Sequence, residues 1–520
     1  MKLALLAAIA LLFLLPSSAL AQEPVYGGTL VIGRSSDAIT LDPNDGPDGR
    51  SSAVAKLIAE PLVRFRPGTS EVEPWLATSW SVSDDGLEWT FQLRDGVKFH
   101  DGTPFNAEAV VFTFLRMLDK DHPYHYMGAW VHATGLFSNV KDVVAVDDLT
   151  VKFVLAKPYS PFLTALTNGR AAIVSPTAVV NDPDNFFKNP IGTGPYVIKE
   201  WRTDERIVLE RFEGYWSDRP YLDSIIFQVI PESVARILAL QRGDIQAVIE
   251  VDAISRQMIE SSPGLVLQET PGILHGYLTA NVAKAPWDDV RVRQALFHAL
   301  DRQALADAFY PGGAVARGVM SQSFLGFDED IPWYDYDPEE ARRLLAEAGY
   351  PNGFATTLYT VDGTRPHTPQ PRAASEAIQS YLAAVGIRVE IVVSDTATYL
   401  DAARAGEHGL LLAGFSPIMA DPWTVMYTQF DSRRAVLGSA NNFSFYRNPE
   451  VDALNDLADA AAEPEQRAAY YRQIQEIVYR DAVRVDLADM NDVLGLRAEV
   501  HDFYPDRQAG YELQYTWLGK

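Results

Sequence analysis

The stretch GLLLAGFSPIMADPWTVM, residues 409–426, predicts how the chain is organised around it. Residues 410–413 form a short continuous apolar run, which is typical of a strand buried on both faces. The loop that follows carries Asp421 and Trp423. Because ligands bind beyond the carboxyl ends of strands in open α/β sheets, this loop is a candidate ligand site. The alternatives are that Trp423 fills a core and that Asp421 only forms a turn before Pro422.

Helix and strand patterns alternate along much of the remaining chain. Four polar residues that favour helix N-termini precede amphipathic runs, namely Asn106, Asp289, Asp337 and Asn448. In the helix after Asp289 and at its end, we expect Arg291, Arg293 and Arg302 to face outward. Residues 372–385 repeat the helical pattern, Gly386 ends it, and a strand follows over 389–393. This alternation predicts an α/β fold.

Residues 1–21 have the pattern of a secretory signal peptide. Lys2 precedes an apolar run over 3–15, and Ala19 and Ala21 provide the small residues of a cleavage site. The run is shorter than the roughly 20 residues that a membrane-spanning helix needs. We therefore expect a mature protein that begins at Gln22, is exported to the periplasm and has no direct membrane insertion.

Composition narrows the possible partners and the means of stabilisation. The chain has 520 residues and no cysteine, which excludes a lipid-modified cysteine, disulfides and a thiolate zinc site. The net charge of −25 argues against nucleic acid or an anionic membrane as a partner. The length allows two or three domains with enough core to be stable without disulfides. We expect a monomer.

Common enzyme signatures are absent from the sequence. It contains no G-x-S-x-G, no H-E-x-x-H and no G-x-x-x-x-G-K-[ST], the usual markers of serine hydrolases, zincins and P-loop proteins. Any two of the 69 acidic residues could be proposed as a glycosidase pair, but sequence spacing does not place carboxylates at the distance that such catalysis needs. The sequence therefore favours a protein that is not an enzyme.

Three histidines fall in the segment HPYHYMGAWVH, namely His122, His125 and His132. A cluster of imidazoles could bind a metal, but this spacing matches no pair of ligands on one helix face, and no supporting carboxylate is evident. A loop between the surface and a cleft is the favoured interpretation. We predict neither a metal site nor a cofactor.

Four motifs, in this order, resemble those of the solute-binding proteins of peptide and nickel ABC importers. They are the region 77–116 with its three Asp-Gly pairs, GTGPY at 192–196, EGYW at 213–216 and DVRVRQALFHALDR at 289–302. The resemblance covers nearly the whole mature chain. It implies an inner-membrane ABC permease as partner and a small-molecule or peptide-like ligand.

The resemblance also implies two hinged lobes around a cleft, the large class of periplasmic-binding-protein fold with an extra N-terminal subdomain. The first lobe would comprise residues 22–270 and 485–520, with the extra subdomain at about 51–161. The second lobe would comprise residues 271–484. The predicted hinges are residues 271–281 and 482–491, because hinges are short segments at the ends of elements.

Arg365 is a candidate ligand residue. It lies in the segment TRPHTP, and a guanidinium held between prolines is pre-organised to bind a carboxylate with two hydrogen bonds. The alternative is a solvated loop arginine. In the dipeptide-binding branch of the resembled family, an R-P-x-x-P segment at this place supplies the arginine that holds the ligand carboxylate.

Ile418 marks a departure from the resembled family. The family segment typically reads G-W-x-x-D-x-x-D-P, and its first aspartate grips the α-amino group of a peptide. Here the nine positions read GFSPIMADP, so Asp421 matches the second aspartate while Ile418 stands in place of the first. The resemblance therefore implies that Arg365, Ile418, Asp421 and Trp423 are ligand-binding residues, and that a simple free-amine peptide is a poor ligand.

The sequence as a whole predicts a two-lobed periplasmic receptor that closes on a small carboxylate-bearing, peptide-like solute. An oligosaccharide, an opine or a metal chelate is the alternative within binding proteins. A secreted hydrolase is the alternative from another class.

Overall fold

The computed structural model describes residues 23–46, 48–67, 69–461, 463–506 and 510–519. The predicted signal peptide lies outside the described residues. The first part of the chain forms strands and helices in the following order: β1 (Thr29–Arg34), α1 (Gly49–Ala55), β2 (Val63–Phe65), β3 (Val72–Pro74), β4 (Ala77–Val82), β5 (Glu88–Leu93), α2 (Ala107–Leu118), α3 (Val131–Phe137), β6 (Val140–Asp147), β7 (Thr150–Leu155), α4 (Phe162–Ala165), α5 (Pro176–Asn181), β8 (Tyr196–Arg202), β9 (Arg206–Arg211), β10 (Ser224–Val229), α6 (Ser233–Arg242), β11 (Ala247–Val248) and α7 (Ala253–Glu260).

The second part continues the alternation of helix and strand. Its elements are β12 (Leu265–Ala280), α8 (Val290–Ala299), α9 (Arg302–Phe309), β13 (Gly313–Val315), α10 (Pro338–Glu347), β14 (Ala355–Val361), α11 (Pro371–Ala384), β15 (Arg388–Ser394), α12 (Thr396–Arg404), β16 (Leu410–Phe415), α13 (Trp423–Phe430), α14 (Pro449–Ala460), α15 (Pro464–Arg480), β17 (Arg484–Arg497), β18 (Val500–His501), β19 (Tyr504–Pro505), β20 (Tyr511–Glu512) and β21 (Trp517–Leu518).

One mixed sheet runs through the molecule in the order β15-β14-β16-β12-β17-β11-β1-β10-β9-β8, and β13 pairs with β17. The long strands β12 and β17 pair with each other along most of their length and belong to both halves of this sheet. Their pairing is irregular between Pro271 and Leu274 and again between Gly276 and Tyr277. Such irregularities bend a strand, and both of them fall within the predicted hinge at residues 271–281.

The extra subdomain has its own sheet and core. Strands β4, β5, β7 and β6 form a four-stranded antiparallel sheet, and helix α2 packs against it. Asn106 caps α2 by accepting a hydrogen bond from the amide of Ala109. The core between them is aromatic, with Phe91, Phe114 and Phe153 all fully buried. The predicted limits of the subdomain and the lobes stay a prediction.

The predicted helix N-caps at Asp289, Asp337 and Asn448 are confirmed, because each side chain accepts a hydrogen bond from an amide in the first turn. The predicted outward orientation of Arg293 and Arg302 is wrong. Both side chains are buried, and each donates hydrogen bonds to backbone carbonyls of other segments. A buried guanidinium is tolerated when its donors are satisfied in this way.

Candidate ligand site between the lobes

Strand directions place the carboxyl ends of the two half-sheets opposite each other. β1 and β11 are parallel to each other, β11 is antiparallel to β17, and β17 is antiparallel to β12. β1 and β11 therefore run in the same direction as β12, whereas β16 is antiparallel to β12. β11 ends at the level of Leu267, and β16 ends at the level of His275. These levels are roughly 25 Å apart along an extended strand, which leaves a cleft between two sets of strand ends.

The two predicted ligand loops lie side by side on the second lobe. β14 pairs with β16 in parallel, so their carboxyl ends meet at one edge of the sheet. The loop after β14 carries His367, whose Nδ1 lies 3.2 Å from Oγ of Ser416 in the loop after β16. A Cβ atom on Gly414 would lie 2.1 Å from the imidazole ring of His367, so the contact between the loops requires glycine there. We call residues 416–422 the ligand loop.

Arg365 is a half-buried cation at this edge. One Nη atom donates to Oγ1 of Thr396, and the backbone of Arg365 pairs with that of Thr368 in a small bridge. Among the described residues, no carboxylate forms an ion pair with Arg365. Burial, with a contribution from Arg365, lowers the pKa of His367 to about 4, so the imidazole is neutral. Arg365 is therefore a positive charge without a carboxylate counter-ion among the described residues.

Ile418 presents a partly exposed apolar side chain on the ligand loop. It is 38% exposed, and its carbonyl accepts a hydrogen bond of 3.0 Å from Nδ2 of Asn168 in the first part of the chain. This hydrogen bond ties the backbone of the ligand loop to the first part of the chain. The isoleucine side chain offers no acceptor for an ammonium group.

Asp421 lies inside the second lobe. It is 2% exposed, and its Oδ1 accepts hydrogen bonds from Nη2 of Arg467 at 2.8 Å and from the amide of Trp423 at 2.9 Å. Arg467 is also buried and donates to the hydroxyl of Tyr471. The carboxylate is therefore neutralised by a residue of helix α15, and it also accepts a hydrogen bond from the first amide of α13.

Trp423 is half-buried in an aromatic group. Its ring stacks on Tyr427 with a centroid distance of 5.0 Å and meets Tyr159 edge-on at 5.3 Å. Tyr159 belongs to the segment that follows the subdomain sheet, so Trp423 joins two parts of the chain that are distant in sequence. This packing fits the alternative that Trp423 fills a core.

On the first lobe, the strand ends carry a carboxylate that the sequence did not single out. Glu250 follows β11 and adopts a left-handed backbone conformation with φ of 64°. Its carboxylate accepts hydrogen bonds from the amide of Ser35, just after β1, at 2.9 Å and from Nε of Arg50 at 2.7 Å. A non-glycine residue in this conformation costs of order 1–3 kcal/mol and is commonly found at functional sites. Sequence offers no signal for it.

Between the two lobes, β12 and β17 carry a buried charged cluster. Nδ1 of His275 lies 2.7 Å from Asp489, and Nε2 lies 2.7 Å from Asp486. Carboxylates only accept hydrogen bonds, so both ring nitrogens donate and His275 is an imidazolium. Burial alone would lower the pKa of His275, but the two carboxylates outweigh burial and raise it. Asp486 also pairs with Arg484 at 2.7 Å.

The GTGPY and EGYW motifs converge on one buried carboxylate. Glu60 accepts hydrogen bonds from Thr193 of the first motif and from Tyr215 and Trp216 of the second, as well as from Trp75, at 2.6–2.8 Å. Burial raises the pKa of Glu60 in spite of these four donors. The motifs are therefore joined to each other through Glu60 in the first lobe.

The histidines considered as a metal site have other partners. Nδ1 of His122 accepts from the amide of Tyr124, and Nδ1 of His125 bonds to the carbonyl of Arg116. The side chain of His132 lies outside the described residues. Across the described ranges, no group of three or more acidic or histidine side chains is placed to hold a metal ion.

The chain belongs to the bacterial extracellular solute-binding proteins, family 5, whose profile matches residues 71–436. It is 34% identical over 461 residues to the dipeptide-binding protein of Escherichia coli K12, covering 86% of each chain. It is also 34% identical over 484 residues to heme-binding protein A of Haemophilus influenzae, covering 89% of this chain and 87% of the relative.

The structure of HbpA2 from Haemophilus parasuis superposes with a TM-score of 0.91 at 30% identity, over 95% of this chain and all of the other. The predicted two-lobed α/β fold and the predicted solute-binding receptor are thus confirmed. In the part of the chain that the structure describes, helices are too short or too polar to cross a membrane.

Proposed function

We propose that the protein is the periplasmic receptor of an ABC importer, and that it captures a small carboxylate-bearing, peptide-like solute for delivery to the inner-membrane permease. The observation that carries this proposal is Arg365, a half-buried cation without a carboxylate partner among the described residues at the edge of the cleft. Arginine binds carboxylates through two parallel hydrogen bonds, and a partly desolvated site strengthens them.

The relatives support a carboxylate as the shared ligand feature. The E. coli relative is named for dipeptides and the H. influenzae relative for heme. These compounds differ in shape, but each carries carboxylate groups. A cation at the cleft binds such a group through charge-assisted hydrogen bonds, and Arg365 offers one.

The second part of the proposal concerns the ligand amine. Burying an ammonium group without a counter-ion costs several kcal/mol even after relaxation. Ile418 provides no acceptor, and the carboxylate of Asp421 is already bound to Arg467. We infer that ligands with a blocked amine, or with none, bind better than unmodified di- and tripeptides.

Native mass spectrometry of the purified protein would identify a ligand that co-purifies with it. Calorimetry with one dipeptide and its N-acetylated form then tests the amine inference, and the acetylated form is expected to bind more tightly. Tight binding of the free peptide that is lost on acetylation would contradict it. We also expect no turnover of chromogenic esters, glycosides or peptides, since turnover above background would favour the secreted hydrolase.

A further inference from the structure

The segment that ends the extra subdomain makes direct contact with the second lobe. The amide of Ser160 donates to the carbonyl of Asp459 at 2.8 Å, and its hydroxyl donates to the carbonyl of Ala458, also at 2.8 Å. Nζ of Lys157 lies 3.6 Å from the carboxylate of Asp459. Two hydrogen bonds and one ion pair thus join residues 157–160 to the end of helix α14.

The same segment, extended to Asn168, also contacts the ligand loop and the residue that follows it. Nδ2 of Asn168 holds the carbonyl of Ile418, and Tyr159 meets Trp423 edge-on. The side chain of Met419 is 1% exposed and lies in the aromatic core of the extra subdomain. One face of the loop therefore borders the cleft, while its other face packs against the first part of the chain.

We propose that residues 157–168 form a releasable latch on the second lobe, that this latch positions the ligand loop, and that Asp459 keeps it releasable. The proposal rests on the proposed function in one respect, the use of the loop by a ligand. Its physical basis is the burial of the Asp459 carboxyl group. The contact with Lys157, Tyr159 and Ser160 shields this group from solvent.

Asp459 is a carboxylate in an unfavourable position. Its side chain is 8% exposed, and within the described chain its Oδ1 is buried without a hydrogen-bond partner. The charged or titratable groups that face it are Lys157 and Tyr159 from the latch, Asp421 from the ligand loop, and Arg467 and Tyr471 from helix α15. Burial raises the pKa of Asp459 to about 6, although Lys157 and Arg467 oppose this effect.

The sign of the pH dependence follows from this raised pKa. A carboxylate whose pKa is raised by a contact favours that contact when it is protonated and opposes it when it is charged. Separation of the latch would return Asp459 to water, where its pKa is near the ordinary value of 3.8. The latch is therefore strongest below about pH 3.8, weakens as the pH rises from there to about 6, and changes little above that.

Hydrogen exchange of the Ser160 amide, corrected for the intrinsic rate, reports the latch without any ligand. Its protection in the parent should fall about tenfold between pH 5 and pH 7.5, as expected for a group whose pKa moves from about 6 to 3.8 on separation. In Asp459→Asn, protection should not change with pH and should exceed that of the parent at pH 7.5. Asp456→Asn, an exposed residue of the same helix, should behave like the parent.

Lys157→Met keeps the Asp459 carboxylate but removes the positive charge that attracts it. Protection of the Ser160 amide at pH 7.5 should therefore fall below that of the parent. The amides of Ser416, Ile418, Met419 and Ala420 should follow the same pH dependence if the latch positions the ligand loop. Flat protection of Ser160 in the parent, or an equal fall in Asp459→Asn, would overturn the latch. That result would not bear on carboxylate binding by Arg365. In the same way, a failure of Arg365 to bind carboxylates would not affect the interpretation of the exchange data.

Discussion

Replacing Asp421 by asparagine tests whether this residue serves the fold, as its buried position indicates. Asparagine keeps an oxygen for the amide of Trp423 but removes the charge that neutralises Arg467. Arg467 is 6% exposed, so its guanidinium would remain buried without a counter-ion. Removing one partner of a buried ion pair costs about 3–5 kcal/mol, and the retained hydrogen bonds place Asp421→Asn near the lower limit.

Urea unfolding followed by tryptophan fluorescence measures this cost, because Trp423 lies next to the pair. The transition of the second lobe should move to lower urea by an amount equivalent to about 3 kcal/mol. Asp456→Asn breaks an exposed pair with Arg433 and should cost less than about 1 kcal/mol. Ligand affinity of the folded Asp421→Asn protein should stay close to that of the parent. Unchanged unfolding combined with lost binding would return Asp421 to the ligand site.

Three further outcomes are expected. Ile418→Asp should improve the affinity for a free-amine dipeptide in calorimetry, and no gain would mean that the amine lies elsewhere. His275 has a raised pKa in the fold, so its stabilisation is present below the ordinary value of 6.5 and is lost as pH rises through the folded value. The midpoint difference between the parent and His275→Gln should therefore shrink from pH 6 to pH 9, and a constant difference would contradict this. A ligand that binds the native state should raise the thermal midpoint of the protein by mass action, and an unmoved midpoint at saturating ligand would contradict binding to the folded protein.

The sequence was most informative where a local pattern determines the structure. The apolar run at 410–413 identifies a buried strand, and the loop beyond it borders the cleft because β14 and β16 are parallel neighbours. Helix N-caps such as Asp289 could also be predicted, since a cap depends on bonds within one turn.

Contacts between distant segments could not be predicted in this way. Nothing local to Asp421 reveals that Arg467 neutralises it, and the helical period at Arg293 does not show the backbone carbonyls that surround its guanidinium. The left-handed backbone of Glu250, whose carboxylate bonds to Ser35 and Arg50, likewise has no local sequence signal. These features depend on the packing of elements and not on their own sequence.

The most direct test of the receptor account is a calorimetric cycle on Arg365. An N-acetylated dipeptide with a free carboxylate and the same peptide with a C-terminal amide are titrated into the parent and into Arg365→Ala. Arg372→Ala, an exposed arginine at the start of α11, serves as the control. Amidation should cost the parent and the control about 2–5 kcal/mol of binding, because the buried charge pair is broken, and it should cost Arg365→Ala little. An equal cost of amidation in parent and Arg365→Ala would contradict the assignment of the carboxylate to Arg365.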